Sequence, residues 1–333
     1  MIIAKTLFRI SFFGGGTDLE CFFREYGGSV ISTTIDKYSY VTVRHLPPFF
    51  EYRTHLTYSQ VEYVNEYDEI RHPLIREAMR MHDMHEIRLT YDADLPSRSG
   101  LGTSSSFAVG MINAFCCLKG KYVDKKRLAN EAIYLERVLC QEAGGWQDQI
   151  VAAYGGLNRI DFNVDGFEVK PIIINPVRKE QLNNNLLMFF TGFVRYSSEI
   201  QEANTVYSVD RARKMKEMIT IVNEAETVFT DKGTDLDEIG RLLDYSWKLK
   251  RGVGKGISTS EIDDLYDKGI KAGALGGKLL GAGGGGFLLF YVQPEKQKSV
   301  MKAMEDLLYI PFKFETEGTT IVHYTPESYE QDD

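Results

Sequence analysis

"LPSRSGLGTSSSFAVG", residues 95–110, packs glycines and hydroxyl side chains between an apolar strand-like segment and an apolar helix-like one. A helix N-terminus carries unpaired backbone N–H groups and a partial positive charge. A glycine loop before it lets the backbone come close to an anion. Gly100 and Gly102 supply that approach, Thr103, Ser104, Ser105 and Ser106 add hydroxyls, one able to turn a lone pair to Mg2+, and Arg98 adds charge. The stretch therefore reads as a phosphate cradle; the competing reading is a linker with a serine-rich cap. It is not a Walker A loop, which requires G-x-x-x-x-G-K-[ST]. "GVGKGIS" at Gly252–Ser258 has the wrong spacing and follows a helix.

Two other glycine-rich stretches flank this one. "KLLGAGGGGFLLFYV" (Lys278–Val292) contains G-x-G-x-x-G at Gly281, Gly283 and Gly286, but leads into a strand. A dinucleotide fingerprint leads into a helix, so that reading fails. A hairpin turn needs fewer glycines, and close approach to a ligand or to the phosphate cradle is expected instead. "RISFFGGGTDL" (Arg9–Leu19) joins a strand to three glycines and an acid. Asp18 either meets a ligand beyond the turn or caps the next helix.

The 333-residue chain is long enough for two cores, and its 43% hydrophobic and 26% charged content is ordinary for a globular protein. A formal charge of −8 argues against a bulk hold on nucleic acid or on an anionic membrane, so any bound anion must be held locally. The N-terminus reads as a strand rather than a signal peptide, and no stretch is long enough to span a membrane. Cys21, Cys116, Cys117 and Cys140 form no C-x-x-C pair, which points to reduced thiols in a cytoplasm. His72, His82 and His85 show no metal-binding spacing and take no assigned role.

The pattern predicts strands near 2–12, 29–35, 38–44 and 86–92, then helices near 70–82, 104–119, from Asp124, and 147–153. Strands follow at 157–162 and 167–173. "INPVRKEQLNNN" reads as the seam between an N-terminal domain, residues 1–174, and a C-terminal domain, residues 175–333. An apolar strand, "LLMFFTG", follows the seam. Helices are expected near 198–230, 235–250, 260–272 and 294–307, with strands near 277–280, 287–292, 312–315 and 320–324. The class is α+β with helices gathered in the second half.

In this order and at these distances, the three stretches resemble the three motifs of the GHMP kinases, the family of galactokinase, homoserine kinase and mevalonate kinase. "RISFFGGGTD" resembles the first, "PSRSGLGTSSS" the second, P-x-x-x-G-L-G-S-S-A, and "KLLGAGGGGF" the third. The resemblance implies a two-domain fold: an N-terminal ribosomal-protein-like α+β domain with a left-handed βαβ phosphate loop, and a C-terminal ferredoxin-like α+β domain. It implies ATP and Mg2+ as cofactors and an active site between the domains. The ATP phosphates fall to Ser99, Gly100, Leu101, Gly102, Thr103, Ser104 and Ser105, and the metal to Ser104 and Glu136. Asp148 becomes the base facing the sugar. Arg9 neutralises charge beside it and keeps it ionised. Asp18, with Gly15, Gly16, Thr17, Gly283 and Gly284, falls on the substrate. On the residues alone, Glu136 also reads as a solvated helix glutamate and Asp148 as a helix N-terminal acid.

"GGGTD" where galactokinases carry "GEHTD", together with "GGWQDQ" and "GAGGGGF", resembles the heptose 7-phosphate kinases and the related fucokinases. The implied reaction is phosphorylation of the anomeric hydroxyl of D-glycero-D-manno-heptose 7-phosphate, serving nucleotide-heptose synthesis for a surface polysaccharide. L-fucose or another hexose is the neighbouring alternative, a non-catalytic sugar or ATP sensor the alternative of another class, and an isoprenoid-pathway kinase with a more apolar substrate site the third. The implied partners are a sugar phosphate and ATP, with neither nucleic acid nor membrane. Candidate cations for a substrate phosphate are Lys248, Lys250, Arg251, Lys255 and Arg195. The sequence is silent on oligomeric state.

Overall fold

The computed structural model describes residues 1–97, 100–192, 209–254 and 256–326. Arg98, Ser99, Arg195 and Lys255, and the first part of the helix expected from Ser198, lie outside the described residues. The molecule is built on two sheets. The spine of the first is β2 (Gly28–His45), a strand of 18 residues. Along one side it pairs with β1 (Ile2–Phe13) throughout. Along the other it pairs in turn with β6 (Asn158–Asn163), β12 (Phe314–Glu315) and β5 (Ile87–Ala93).

The sequence pattern suggests two strands here, broken near Asp36. The structure has one, with a shift of register between Leu7 and Phe8 where the pairing skips Asp36 and Lys37. A bulge absorbs two polar residues without ending a strand. A short hairpin, β3 (Thr54–Thr57) and β4 (Val61–Val64), extends the sheet beyond β5. The sequence reading passed over it. β3 is the parallel partner of β5, and β7 (Gly166–Pro171) pairs with β6.

The chain ends in the sheet where it begins: β13 (Thr320–Tyr324) lies against β1. The expected boundary after residue 174 therefore does not separate the two sheets, because β12 and β13 come from the second half. The seam itself is helical, α6 (Pro176–Asn184), with Asn175 capping Val177 N–H and Pro at the first turn.

Over the first sheet lie α2 (Pro73–Met81), α3 (Thr103–Leu118), α4 (Lys125–Tyr134) and α5 (Gln147–Tyr154), with α1 (Glu20–Tyr26) at its edge. α3 is apolar on almost every side, and 14 of its 16 residues are buried. Its Met111, Ile112 and Phe115, fully enclosed, each contribute roughly 1.5–3 kcal/mol by burial. Asp124 caps α4, accepting from Arg127 N–H.

The second sheet is antiparallel, ordered β11 (Leu308–Tyr309), β8 (Leu186–Phe190), β10 (Phe287–Tyr291), β9 (Gly276–Leu279). Around it stand α7 (Val209–Thr230), α8 (Glu238–Arg251), α9 (Ser260–Ala272) and α10 (Pro294–Ala303). One apolar cluster joins the halves: Phe8, Ile10 and Phe12 of β1 with Phe229 of α7 and Leu289 of β10. That interface is packed like a core, so it fixes what lies between the halves.

Candidate active site between the two halves

A cavity of about 790 Å3 opens between the halves. Among its described lining residues, six are cationic (Arg9, Arg71, Arg137, Arg211, Lys250, Lys278) and four acidic (Asp18, Glu136, Glu142, Asp148). On a chain of charge −8, this local cationic excess marks an anion site.

The phosphate cradle forms one wall. Gly102, in the left-handed conformation at φ +74°, is the N-cap of α3, and no side chain caps that end. Gly100, Gly102, Thr103, Ser104 and Ser105 all line the cavity. Leu101 points the other way into the core, while its carbonyl accepts from the Arg9 N–H at 3.1 Å and ties the loop to β1. The third glycine stretch lies directly against this loop. A Cβ on Gly100 would stand 2.4 Å from the Leu280 carbonyl oxygen, and one on Gly281 2.5 Å from the Gly100 Cα. The glycines of residues 281–286 therefore act first as the seam between cradle and second half. Gly283 lines the cavity, but Gly284 does not, its N–H donating to the Ile257 carbonyl at 3.1 Å.

Arg9 and Asp148 meet as expected. Arg9 Nε and Nη2 each donate to the Asp148 carboxylate at 2.8 Å, and Nη1 donates to the Gly100 carbonyl at 2.5 Å. One buried guanidinium thus couples the acid to the phosphate loop, in the fork geometry that Lys could not supply. Asp148 sits in the first turn of α5 with its side chain partly open to the cavity.

Asp18 is buried beside this pair. Its carboxylate accepts from Gly16 N–H at 2.9 Å and Gln147 N–H at 3.2 Å. Burial pushes its carboxyl above the ordinary range, the Asp148 charge adds to this, and the backbone donors oppose it. "GGW" follows from this packing: a Cβ on Gly145 would fall 1.8 Å from Asp18 Oδ2. Gly15 and Gly16 line the cavity, but Thr17 does not. Its hydroxyl donates to the Gly14 and Ser29 carbonyls and accepts from Ser29 N–H, so Thr17 holds the turn rather than a substrate.

Glu136 lies just past α4, where the helix widens into a π turn, residues 135–139. Such turns recur at functional sites. The widening places Glu136 inward, 1% exposed, yet on the cavity wall. Its Oε2 accepts from Ser105 Oγ at 2.7 Å and from Gln149 Nε2. The hydroxyl that donates to Glu136 is thus that of Ser105. Ser104 is exposed on the same wall. The neighbouring Arg137 stands 3.9 Å from Glu136 and binds the carbonyls of Glu142 and Gly145.

Of the candidate phosphate-binding cations, the described cavity takes in Lys250 alone. Lys248 pairs with Asp244 and Arg251 with Asp263. Lys250 Nζ donates to the Gly281 carbonyl at 2.7 Å. Burial, and then the Arg9 charge, lower its pKa to about 8, while Asp18 and Asp148 resist the shift. Lys278, missed in the sequence, reaches the Phe12 carbonyl at 2.9 Å and is pushed well down by burial. Arg71, Arg137 and Arg211 were missed as well; lone arginines carry no spacing signal. On the same wall, Ser11 Oγ and Gln147 Oε1 are buried polar atoms with no hydrogen-bond partner. A further group on the wall is aromatic: Tyr91 packs on Phe107 at 4.3 Å, and Phe107 on His72, which meets Tyr58.

Comparison with known proteins agrees with this geometry. Residues 70–156 match the family model for the GHMP kinases N terminal domain, and residues 228–310 the model for GHMP kinases C terminal. The D-glycero-alpha-D-manno-heptose 7-phosphate kinase of Campylobacter jejuni is 28% identical over 95% of this chain and 97% of its own length. The L-fucokinase/L-fucose-1-P guanylyltransferase of Bacteroides fragilis is 30% identical over 64% of this chain, but only 23% of that longer protein is matched. Among solved structures, a D-glycero-D-manno-heptose 1-phosphate kinase from Bacteroides thetaiotaomicron superposes with a TM-score of 0.76, at 24% identity, over 96% of this chain and 98% of its own. At that identity the likeness is one of fold.

Proposed function

Because the chain belongs to the GHMP kinase family, we propose that it transfers the γ-phosphoryl group of ATP to the anomeric hydroxyl of a sugar, D-glycero-D-manno-heptose 7-phosphate ranking first. The observation that carries the sugar is the pair of buried, unpartnered atoms Ser11 Oγ and Gln147 Oε1 on the wall beside Asp18. Unsatisfied buried polar atoms are costly, and a polyol hydroxyl relieves them where an apolar acid substrate would not.

The chemistry follows from the chain's own groups. Asp148 accepts the proton of the anomeric hydroxyl as its oxygen bonds to the γ-phosphorus and the bond to the departing ADP oxygen breaks. Arg9 orients that carboxylate through two hydrogen bonds and keeps it an acceptor. Lys250, next to Arg9 and Asp148, neutralises charge on the transferring phosphoryl. The cradle N–H groups of α3 receive the ATP phosphates, and the aromatic group of Tyr91, Phe107, His72 and Tyr58 offers the base a stacking surface. Glu136 and Ser104 are hard oxygen donors on one wall, the donor set that Mg2+ prefers. Mg2+ would supply charge neutralisation on the phosphates.

The test is ADP release with Mg-ATP against free sugars and sugar phosphates. Turnover with heptose 7-phosphate alone supports the full reading. Turnover with L-fucose or another unphosphorylated hexose keeps the sugar kinase and discards the substrate phosphate. ATP and sugar binding without turnover turns the reading to a sensor.

A further inference from the structure

Separate from the cavity, three ligand-bearing side chains converge at the far end of α3. They are His82, just past α2, Cys116 in the last turns of α3, and Glu131 in α4. One donor atom from each lies within 4.8 Å of the other two. From Thr103 to Cys116 the helix rises roughly 20 Å, so this is not part of the cavity's metal position.

Two features go beyond proximity. His82 Nε2 and Glu131 Oε2 face each other at 3.5 Å, both buried and neither hydrogen-bonded. Cys116, 4% exposed, forms no disulfide. The two meet at ion-pair distance without a hydrogen bond, and three donor groups converging at one point are held at less cost when a cation joins them. The surroundings also hold the three in place. Arg127 Nε donates to Glu131 Oε1 at 2.6 Å and leaves Oε2 to face the imidazole. Lys119 Nζ donates to the carbonyls of His82 and Asp83, pinning the α2 end to the α3 end. Outer partners that orient ligands are the usual support of a metal site.

We propose that His82, Cys116 and Glu131 form a second metal site, for a divalent cation of the zinc class. A nitrogen, a sulfur and a carboxylate oxygen suit Zn2+ and not Mg2+. Spacing along the chain gives no sign of it, because each ligand comes from a different element. The ion clips together α2, α3 and α4, the helices that support the phosphate cradle and Glu136.

The experiment is titration of the full chain with Co2+ alone, followed by absorption. The expected result is saturation at about one equivalent with a thiolate-to-cobalt charge-transfer band, removed by Zn2+ and untouched by Mg2+. Cys116→Ser abolishes the band, while Glu136→Gln, at the cavity, retains it. Glu131→Gln and His82→Ala weaken Co2+ binding by more than the roughly 10–100-fold that loss of an outer partner costs. These two variants carry the test should Cys116→Ser fail to fold, as judged by its melting curve. Absence of a thiolate band in the folded wild type overturns the proposal, and so does a band that survives in the variants. The cluster is then a buried His–Glu pair beside a thiol.

Discussion

The two halves of the molecule contribute different things to the cavity they share. In the proposed reaction the N-terminal half supplies the groups at the reacting atoms: Arg9 from β1, Asp148 from α5, Glu136 from the π turn, and the cradle at α3. The C-terminal half supplies Lys250, Lys278, Arg211 and the glycine seam against Gly100. Within the N-terminal half, Arg9 joins the Asp148 carboxylate to the Gly100 carbonyl. The two C-terminal lysines bond backbone carbonyls, Lys250 that of Gly281 and Lys278 that of Phe12 in β1, where Arg9 also holds a carboxylate. In the proposed reaction, chemistry is concentrated on one side, charge and closure on the other.

The largest expected break falls on the N-terminal side. Asp148→Asn keeps the volume and one acceptor but cannot take the proton. Turnover should fall by at least about a hundredfold, within the range for loss of a general base, with the KM for ATP little changed. Steady-state kinetics on the accepted sugar checks this. An unaltered kcat removes Asp148 from the mechanism.

The C-terminal side should respond more mildly and differently with pH. Lys250→Met removes one charge-assisted contact to the transferring group. At about 1.5–3 kcal/mol for a hydrogen bond to a charged group, kcat/KM should fall roughly ten- to a hundredfold. In the free protein Lys250 loses its proton near pH 8, with burial as the main cause. The charged form is the one that neutralises phosphate, so wild-type kcat/KM should decline as pH rises through about 8. The Lys250→Met variant should lack that limb. An identical alkaline limb in both proteins would assign the titration to another group.

Legibility divides along the same line. The cradle stood out from its own glycines and hydroxyls, whereas Arg9, Asp18, Asp148 and Glu136 were singled out through the resemblance of the three motifs, and the structure places all four on the cavity wall. Lys250 was readable only as one of several basic residues. The sign that separates it is helical: Ile239, Leu243 and Trp247 mark the buried stripe of α8, and Lys250 continues it where Lys248 does not. A lysine on a core stripe is a stronger indication than a lysine in a basic run. The β3–β4 hairpin escaped because its strands are four residues long, too short for alternation to register. The joining of the first strands into β2 was hidden because a bulge and a break look alike in sequence. The return of β12 and β13 to the first sheet is a long-range pairing, and no local pattern encodes it.

The smallest effect on activity sharpens the contrast within one motif. Thr17 and Asp18 are neighbours, and both resemble substrate residues, yet only Asp18 lines the cavity. Thr17→Val removes a hydroxyl that accepts from Ser29 N–H and donates to two carbonyls. A buried donor left unpaired costs about 1–3 kcal/mol, so the melting temperature should fall. The KM for the sugar should stay within about twofold, because surface and fold positions that do not touch the substrate leave its binding energy in place. A raised KM with an unchanged melting temperature would reverse the assignment and bring Thr17 back to the substrate. The reason to expect the first outcome is geometric: every bond the Thr17 hydroxyl makes is to the backbone of its own turn or of β2, so its loss weakens that turn without removing a contact to the substrate.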